Sequence, residues 1–296
     1  MDESSFYIVD VFAESRYSGN QLAVFVSGHL HSDGEMQKLA RETNFSETTF
    51  IFPRESSGNT FRVRIFTPHQ EVPFAGHPTL GTAYIIITEL LKRPVDSIVL
   101  DLKAGKIPVA AYYDSEGSLD RLVMKQLEPV FGPELERTLS ARILGLSEDD
   151  LDGNFPVQEV STGLPVVIAP LKTLAAVQRI KVDAGLLASR FDSLSARGIL
   201  VFSPETYETK NRLNVRAFFH HYGIPEDPAT GSAGGCLAGY LARHRYFGAE
   251  SFDITVEQGY EIGRKSVLHL AASLKGENYN IHVGGKVVPI ARCQLV

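Results

Sequence analysis

The feature that most constrains how this chain can fold is a pattern that occurs twice. V-R-I-F followed by F-A-G-H-P-T-L-G-T-A-Y lies in the first half, and V-R-A-F followed by P-A-T-G-S-A-G-G-C-L-A-G-Y lies in the second. Each copy contains an amphipathic strand, a loop, a glycine beside a polar residue, and a helix of small and apolar residues. Two matched segments about half a chain apart indicate an internal duplication. We therefore predict two similar lobes.

The first of the two helices is apolar on nearly every side. It is expected to have Pro78 in its first turn and to run to about Lys92. Such a helix is buried, either in a core or inside a sheet that wraps it. The many short strands predicted around both helices favour the wrapped arrangement. The predicted fold is α+β, with two pseudo-symmetric lobes that each wrap a β-sheet around a central apolar helix. We expect the lobes at residues 1–130, with the last strand (about 286–296) as a candidate addition, and at residues 131–296.

Two local patterns give sharper expectations. Ser32 and Glu35 have the spacing of a capping box, which predicts a helix that continues to about Thr43. The pair Gly284-Gly285, between two apolar runs, predicts a tight turn.

Composition and charge exclude several classes of protein. The chain has 296 residues and a net charge of −6, so it lacks the basic surface with which nucleic-acid and anionic-lipid binders meet phosphate groups. The N-terminus has no basic or apolar signal segment, and the longest apolar run (83–91) is too short for a membrane span and contains Glu89. Two cysteines make neither a disulfide framework nor a zinc set. We expect a cytoplasmic protein with no nucleic-acid or membrane partner.

The two helix starts are candidate binding sites for an anion. The first turn of a helix has backbone N–H groups without partners, and a glycine there lets a ligand approach them. Gly76-His77 begins one helix and Gly231-Ser232 begins the other. If the lobes pack with pseudo-twofold symmetry, both starts face one cleft that holds a carboxylate. For either motif alone, tight packing of the helix in its sheet is the simpler explanation, but the duplication favours a functional one.

Several stretches together resemble one known family. They are V-D-V-F…G-N-Q-L-A-V-F (9–25), N-F-S-E-T-T-F (44–50), F-T-P-H-Q-E-V-P-F-A-G-H-P-T-L-G (66–81), E-D-P-A-T-G-S-A (226–233), Q-G-Y-E-I-G-R (258–264) and V-G-G-K-V (283–287). In this order they resemble the PhzF family of phenazine-biosynthesis-type isomerases. The departure is Gln21, where the family usually has proline. The resemblance implies the diaminopimelate-epimerase fold, a site between two lobes, proton transfer at carbon without a cofactor or a metal, and a homodimer.

The resemblance also implies roles for single residues. Glu47 moves a proton from one substrate carbon to another, as general base and then general acid. His77 and Asp227 orient the polar groups of the substrate and assist proton transfer. The predicted substrate is a small carboxylate similar to a dihydro-hydroxyanthranilate. The substrate carboxylate is bound by residues at the helix starts, namely Gly76, Gly231 and Ser232. Ser46 is a weaker candidate for the same role.

Each of these residues also has a purely structural explanation. Glu47 is otherwise a solvated acid at a strand end, and His77 a histidine that caps a helix. Asp227 is otherwise an acid favoured by the helix dipole. Glu71 also matches the family, but a structural hydrogen bond is the simpler explanation of its role.

The sequence also bears on three other classes of protein. Amino-acid racemases of this fold that work without pyridoxal phosphate use two facing cysteines, but the loops at Gly76 and Gly231 contain no thiol, and Cys236 lies within the helix as a small buried residue. A non-catalytic binding protein on this scaffold stays open. A metalloenzyme is disfavoured because His220-His221 does not have the spacing of a zinc site. Phosphate-loop and dinucleotide-binding motifs are absent from the sequence.

Overall fold

The structure is a computed structural model that describes residues 5–26, 31–52, 58–191, 194–276 and 278–296. The strands in these ranges, in chain order, are β1 Ser5–Val11, β2 Asn20–Phe25, β3 Glu47–Ile51, β4 Thr60–Phe66, β5 Glu71–Val72, β6 Ser97–Leu102, β7 Gly105–Tyr113, β8 Leu119–Lys125, β9 Val130–Leu135, β10 Val157–Ser161, β11 Pro165–Pro170, β12 Ile199–Ser203, β13 Leu213–Phe219, β14 Ile224–Asp227, β15 Ser251–Gln258, β16 Ser266–Lys275, β17 Asn278–Gly285 and β18 Val287–Gln294. The α-helices are α1 Asp33–Thr43, α2 Gly76–Ile85, α3 Arg137–Leu144, α4 Leu174–Arg179, α5 Ala184–Phe191 and α6 Gly231–Arg243.

The chain divides into two compact units. Unit 1 comprises Met1–Lys125 together with Gly284–Val296, and unit 2 comprises Gln126–Val283. We propose that these units correspond to the two lobes expected from the duplicated pattern. The sequence predicts the boundary between those lobes near residue 130.

The strands of unit 1 pair in a mixed order. β1 and β2 are antiparallel, β2 and β3 are parallel, and β3 and β4 are antiparallel. β4 also pairs with β5 in the antiparallel sense and with β6 in the parallel sense, and β6, β7 and β8 follow as an antiparallel meander. The C-terminal strand β18 completes this set by pairing with the free side of β1.

Unit 2 repeats the same order of pairings. β10 and β11 are antiparallel, β11 and β12 are parallel, and β12 and β13 are antiparallel. β13 then pairs with β14 in the antiparallel sense and with β15 in the parallel sense, and β15 pairs with β16. β9 pairs with β10, as β18 does with β1 in unit 1. The duplication seen in the sequence is therefore a duplication of topology.

Each unit has one buried helix packed against its strands, as predicted. In α2 every residue except Tyr84 is buried, and the helix packs against β1, β2 and β3. In α6 every residue except Ser232 and Arg243 is buried, and the helix packs against β10, β11 and β16. Gly81 shows how closely α2 approaches its sheet, because a Cβ atom there would lie 2.6 Å from Leu22 Cδ2.

An ion pair precedes each buried helix. In unit 1, Arg64 on β4 donates to both carboxylate oxygens of Glu71 on β5 at 2.8 and 3.0 Å. In unit 2, Arg216 on β13 donates in the same way to Glu226 on β14 at 2.9 and 2.7 Å. When the two segments are aligned on these glutamates, E-V-P-F-A-G-H matches E-D-P-A-T-G-S. Each glutamate then precedes the first helical glycine by the same number of residues.

Several local expectations are confirmed and others need correction. Ser32 and Glu35 form the predicted capping box of α1. The first buried helix begins at Gly76, as predicted, and its last turns, Ile86–Leu91, are π-helical. The predicted turn at Gly284-Gly285 is wrong because both residues belong to β17. Gly284 instead allows a close approach, since a Cβ atom there would lie 2.7 Å from the Leu122 carbonyl oxygen.

Candidate active site

Glu47 is held at the first position of β3 in unit 1. It lies opposite Leu22 in the parallel pairing with β2, and its side chain is 15% exposed. This position gives the carboxylate a rigid backbone and little contact with solvent. Ser46, the weaker binding candidate, is the half-buried residue that precedes it. The simpler explanation of Glu47, a solvated acid at a strand end, does not fit this burial.

Two hydroxyl pairs fix the strand that carries Glu47. Thr48 Oγ1 lies 2.8 Å from Thr43 Oγ1 at the end of α1. Thr82 Oγ1, on α2, donates to Thr49 Oγ1 at 2.8 Å, and both residues are fully buried. The start of β3 is thus connected to a helix on each side, so the position of Glu47 relative to α2 is determined by side-chain hydrogen bonds as well as by the sheet.

His77 lies in the first turn of α2 and faces Glu47. Its Nε2 atom is 3.5 Å from Glu47 Oε2, which is longer than a normal hydrogen bond. On the other side of the ring, Nδ1 lies 3.3 Å from Asn20 Nδ2, at the first position of β2. Within the described residues Nε2 is buried and makes no hydrogen bond. Glu47, His77 and Asn20 therefore form one polar group inside unit 1.

Burial keeps the His77 ring neutral. Desolvation lowers the pKa of His77 to about 3, against the opposing effect of a hydrogen bond with the Gln21 backbone. The contact with Glu47 is therefore not an ion pair at neutral pH, although the two side chains are within ion-pair distance. A neutral imidazole beside a carboxylate can orient a substrate group without cancelling the negative charge that a general base needs.

The second group of predicted residues lies in unit 2, around the start of α6. Asp227 is the last residue of β14 and is buried, with 6% of the residue exposed. Thr230 Oγ1 donates to Asp227 Oδ2. Gln258, at the end of β15, donates from Nε2 to the Asp227 carbonyl oxygen at 2.8 Å and to Thr230 Oγ1 at 3.1 Å. The structure thus brings Asp227 together with Gly231 and half-buried Ser232, which begin the helix.

Neither buried helix has a side-chain cap at its N-terminus. Ala75 precedes α2 and Thr230 precedes α6, and neither makes a side-chain hydrogen bond to the first turn. No acidic residue lies in either first turn. Backbone N–H groups that no side chain caps, together with the helix dipole, favour an anionic group at Gly76 and at Gly231.

The remaining candidates have structural roles. Glu71 forms the ion pair with Arg64, and hydrogen bonds from that guanidinium lower the pKa of Glu71. Cys236 is fully buried, and desolvation raises the pKa of its thiol to about 11, so it is not a thiolate at neutral pH. In the part of the chain that the structure describes, no group of three metal-ligand residues comes together. No helix among the described residues is long and apolar enough to span a membrane.

Three residues in these groups were missed by sequence reasoning: Asn20, Thr230 and Gln258. Each lies in a stretch that carried the resemblance, at Gly-Asn, Ala-Thr-Gly and Gln-Gly. Their contacts join elements that are distant in the sequence, such as Gln258 with the loop before α6. Each of the three is a polar residue directly beside a glycine within an apolar region, and this pattern could have indicated a buried polar contact.

The comparisons with known proteins decide the family. A sequence profile described as phenazine biosynthesis-like protein matches residues 9–292. The chain belongs to this family. It is 34% identical over 283 residues to a trans-2,3-dihydro-3-hydroxyanthranilate isomerase of Pseudomonas aeruginosa, with 95% of each chain covered.

Solved structures agree with this membership. The crystal structure of a Bacillus anthracis phenazine biosynthesis protein of the PhzF family matches with a TM-score of 0.90 and 27% identity, and the match covers 99% of this chain and 98% of that one. A probable proline racemase from Agrobacterium radiobacter matches with a TM-score of 0.65 and 8% identity, covering 99% and 92% of the two chains, and shows the same fold. The predicted α+β, diaminopimelate-epimerase-like fold and the predicted class of enzyme, a PhzF-type isomerase, are confirmed.

Proposed function

We propose that this isomerase moves a proton between two carbons of a small carboxylate substrate without a cofactor, with Glu47 as general base and then general acid. The contact between the half-buried Glu47 and the buried His77 at 3.5 Å carries the proposal. The carboxylate is largely shielded from water and lies on a strand held by side-chain hydrogen bonds. A carboxylate in such a position can take a proton from one substrate carbon and return it to another.

The neutral state of His77 supports this assignment. A protonated imidazole at the same position would hold the Glu47 carboxylate in an ion pair and weaken it as a base. With a pKa of about 3, His77 keeps one ring nitrogen for hydrogen bonding to a polar group of the substrate. Asn20, on the far side of the ring, fixes its orientation.

The substrate class follows from the helix starts and from the relatives. The N-terminus of α2, which no side chain caps, suits a carboxylate close to His77. The relatives from Pseudomonas are named for an isomerase reaction on trans-2,3-dihydro-3-hydroxyanthranilate. We infer a related small unsaturated carboxylate as the substrate of this chain.

The residues of unit 2 keep the roles that the family resemblance implies. We propose that Asp227 orients polar groups of the substrate, and that Ser232 with the backbone at Gly231 binds its carboxylate. The burial of Asp227 and the first turn of α6, which no side chain caps, support these roles. Ser46 is retained as a further binding residue because it adjoins Glu47.

The first prediction tests this function directly. Proton NMR in D₂O would follow trans-2,3-dihydro-3-hydroxyanthranilate with the natural protein, with Glu47→Gln and with the control Glu42→Gln, whose side chain is exposed on α1. We expect isomerisation or deuterium incorporation with the natural protein and the control. We expect a loss of at least about a hundredfold in Glu47→Gln, because general acid–base catalysis contributes about 10²–10⁴-fold.

Each other result has a definite meaning. Equal exchange with Glu47→Gln would refute the role of Glu47. If this substrate does not react, a panel of small carboxylic and amino acids would be tested in the same way. A compound whose carbon-bound proton exchanges with the natural protein but not with Glu47→Gln would be identified as a substrate. Lack of exchange with the whole panel would favour a binding protein. Inversion of an amino acid at Cα without Glu47 would favour a racemase.

Two further expectations belong with this proposal. We propose that the protein works as a homodimer in the cytoplasm, as the family resemblance implies. Light scattering after size-exclusion chromatography would measure the mass of the particle. A mass near 32.5 kDa at micromolar concentration would show a monomer instead.

A further inference from the structure

Thr230 occupies the N-cap of α6 but does not act as a cap. Threonine at this position usually accepts a hydrogen bond from a backbone N–H of the first turn. Thr173, at the N-cap of α4, does so and accepts from the Ala176 N–H at 3.1 Å. The Thr230 hydroxyl makes no such bond, and donates instead to Asp227 Oδ2.

Gln258 determines the direction of this hydrogen bond. An amide nitrogen is only a donor, so the 3.1 Å contact from Gln258 Nε2 makes Thr230 Oγ1 the acceptor. The hydroxyl hydrogen is then given to the carboxylate. Gln258 Oε1 also accepts from the Thr230 backbone N–H at 3.2 Å. The result is a directed chain of hydrogen bonds from Gln258 through Thr230 to Asp227, in which accepting one bond strengthens the donation of the next.

The Gln-Gly stretch that ends β15 fixes Gln258 in this place. Gln258 is buried and pairs with Val215 of β13. Gly259 has a φ of +76°, and a Cβ atom there would lie 2.6 Å from the Pro228 carbonyl oxygen. The chain therefore turns against the loop that precedes α6, which only glycine permits. This explains a motif that the proposed reaction does not use.

Unit 1 builds the same helix start without this chain of hydrogen bonds. In the alignment of the duplicated segments, Val72 stands in place of Asp227 and Ala75 in place of Thr230. Ala75 is the N-cap of α2, and the helix forms there with no hydroxyl and no carboxylate. The fold of the helix start itself therefore does not require the Thr230 hydroxyl or the Asp227 carboxylate.

We propose that Thr230 and Gln258 are positioning residues, which hold the Asp227 carboxylate through Oδ2 in one orientation. This inference rests on the proposed function, in which Asp227 orients the substrate. The Thr230 hydroxyl hydrogen-bonds to Asp227 and not to the first-turn N–H groups of α6. Those N–H groups are the ones to which we assign the substrate carboxylate. One hydroxyl thus supports both substrate contacts that we assign to unit 2.

The test uses the full chain with Thr230→Val, Thr230→Ser and the control Thr173→Val, which removes an ordinary cap. The readout that is independent of turnover is the carboxyl carbon resonance of Asp227 at neutral pH, in protein labelled with ¹³C-aspartate and assigned with Asp227→Asn. We expect the resonance to move in Thr230→Val, to return towards the natural position in Thr230→Ser, and to be unchanged in Thr173→Val. The second readout is steady-state kinetics.

For the kinetics we expect Thr230→Val to lower kcat/KM by about ten- to a hundredfold, because a small misplacement of an orienting group has an effect of this size. Thr230→Ser should restore most of it, and Thr173→Val should lower only the melting temperature. An unmoved Asp227 resonance in Thr230→Val would overturn the proposal, and so would a moved resonance with unchanged kcat/KM. If the natural protein turns over no carboxylate, the proposed function fails, while a moved resonance still supports the hydrogen-bond chain.

Discussion

The buried ring of His77 links the chemistry of the site to the pH dependence of stability. Its folded pKa of about 3 lies below the ordinary value of 6.5, so between these two pH values the unfolded chain binds a proton that the folded chain does not. Stability therefore rises with pH through this window and falls on acidification. The contribution is fully present above the unfolded pKa and is lost progressively below it.

This leads to the second prediction. Urea unfolding at pH 7 and pH 5 should show that His77→Asn loses less stability on acidification than the natural protein, by about 2 kcal/mol, because the asparagine does not titrate. His69→Asn, which replaces an exposed histidine, is the control and should keep the natural pH dependence. An equal loss in His77→Asn and the natural protein would show that the ring is protonated in the folded state.

Comparison of single residues also shows how the two copies of the duplicated pattern have diverged. Phe50 lies opposite Arg64, and Val201 lies opposite Arg216, so Glu47 of unit 1 corresponds to Gly198 of unit 2. A Cβ atom at Gly198 would lie 2.2 Å from the ring of Phe219. The carboxylate proposed as the base therefore has no counterpart in unit 2, and the position that would carry it has no space for a side chain.

Single residues were predicted unevenly from the sequence. Glu47 and His77 belong to stretches that are recognisable as written, and unit 1 brings their side chains together. Asn20 was missed because its contact with His77 depends on where β2 and α2 begin, and the residues are far apart in the chain. Polar contacts of this kind become visible only after the strands are in register.

At the scale of elements, a hydrogen bond between two threonine hydroxyl groups connects α2 to β3. Thr82 donates to Thr49 in a fully buried setting, so removal of one partner leaves the other without its hydrogen bond. The third prediction is that Thr82→Val lowers the free energy of unfolding by about 1–3 kcal/mol, and that the double variant Thr49→Val/Thr82→Val regains most of it. Denaturant unfolding of the natural protein, of the single variants Thr49→Val and Thr82→Val, and of the double variant measures the coupling. Additive losses would show that the two hydroxyl groups do not interact.

The fourth prediction concerns the packing of α2 against its sheet. A methyl group at Gly81 would lie 2.6 Å from Leu22 and 2.8 Å from Val11, both buried. We expect Gly81→Ala to destabilise the protein by about 1–3 kcal/mol, since overpacking exceeds the gain in helix propensity. Gly34→Ala in α1 is the matched control, because a methyl group there meets nothing within 4 Å.

The two variants should change stability in opposite directions. Gly34→Ala should stabilise by up to about 1 kcal/mol in thermal or urea unfolding. A stable Gly81→Ala variant with the natural melting temperature would mean that Leu22 and Val11 move aside freely, and that α2 is not packed tightly against β1 and β2.

Periodicity predicted strands such as β4, in which buried and more exposed residues alternate. It missed β9, whose sequence V-F-G-P-E-L contains glycine and proline, residues that argue against a strand. It also could not show that the buried helix changes to π-helical geometry at Ile86, since both forms present the same apolar residues. Gly284-Gly285 was assigned to a turn because the sequence does not distinguish a glycine at a turn from one at a close approach.

At the scale of the whole molecule, strand exchange between the two repeats is the main feature. The strand that follows the first repeat, β9, pairs within unit 2, and the strand that follows the second repeat, β18, pairs within unit 1. Order along the chain does not reveal such an exchange, because β9 and β18 would satisfy the same patterns in either unit. The sequence suggested only that the last strand was a candidate for the first lobe.

The fifth prediction follows from the register of β18. Gln294 lies opposite Ser5, so the end of β18 is next to the start of β1. A polypeptide in which residues 284–296 precede residues 1–125 through a short linker should unfold cooperatively on heating, as followed by circular dichroism. Residues 1–125 alone should unfold at a lower temperature or aggregate, because one edge of β1 is then exposed. Equal melting of the two polypeptides would show that β18 contributes little.

The same exchange sets an order of events on the ribosome. Translation proceeds at about 5–20 residues per second, so β18 emerges roughly ten to thirty seconds after β8. During that interval β1 exposes an edge that can pair with other chains, whereas unit 2, a single continuous stretch, is translated in full before β18 appears. The part of the protein that is made first is therefore completed last, because this edge of β1 has no partner strand until translation has passed residue 294.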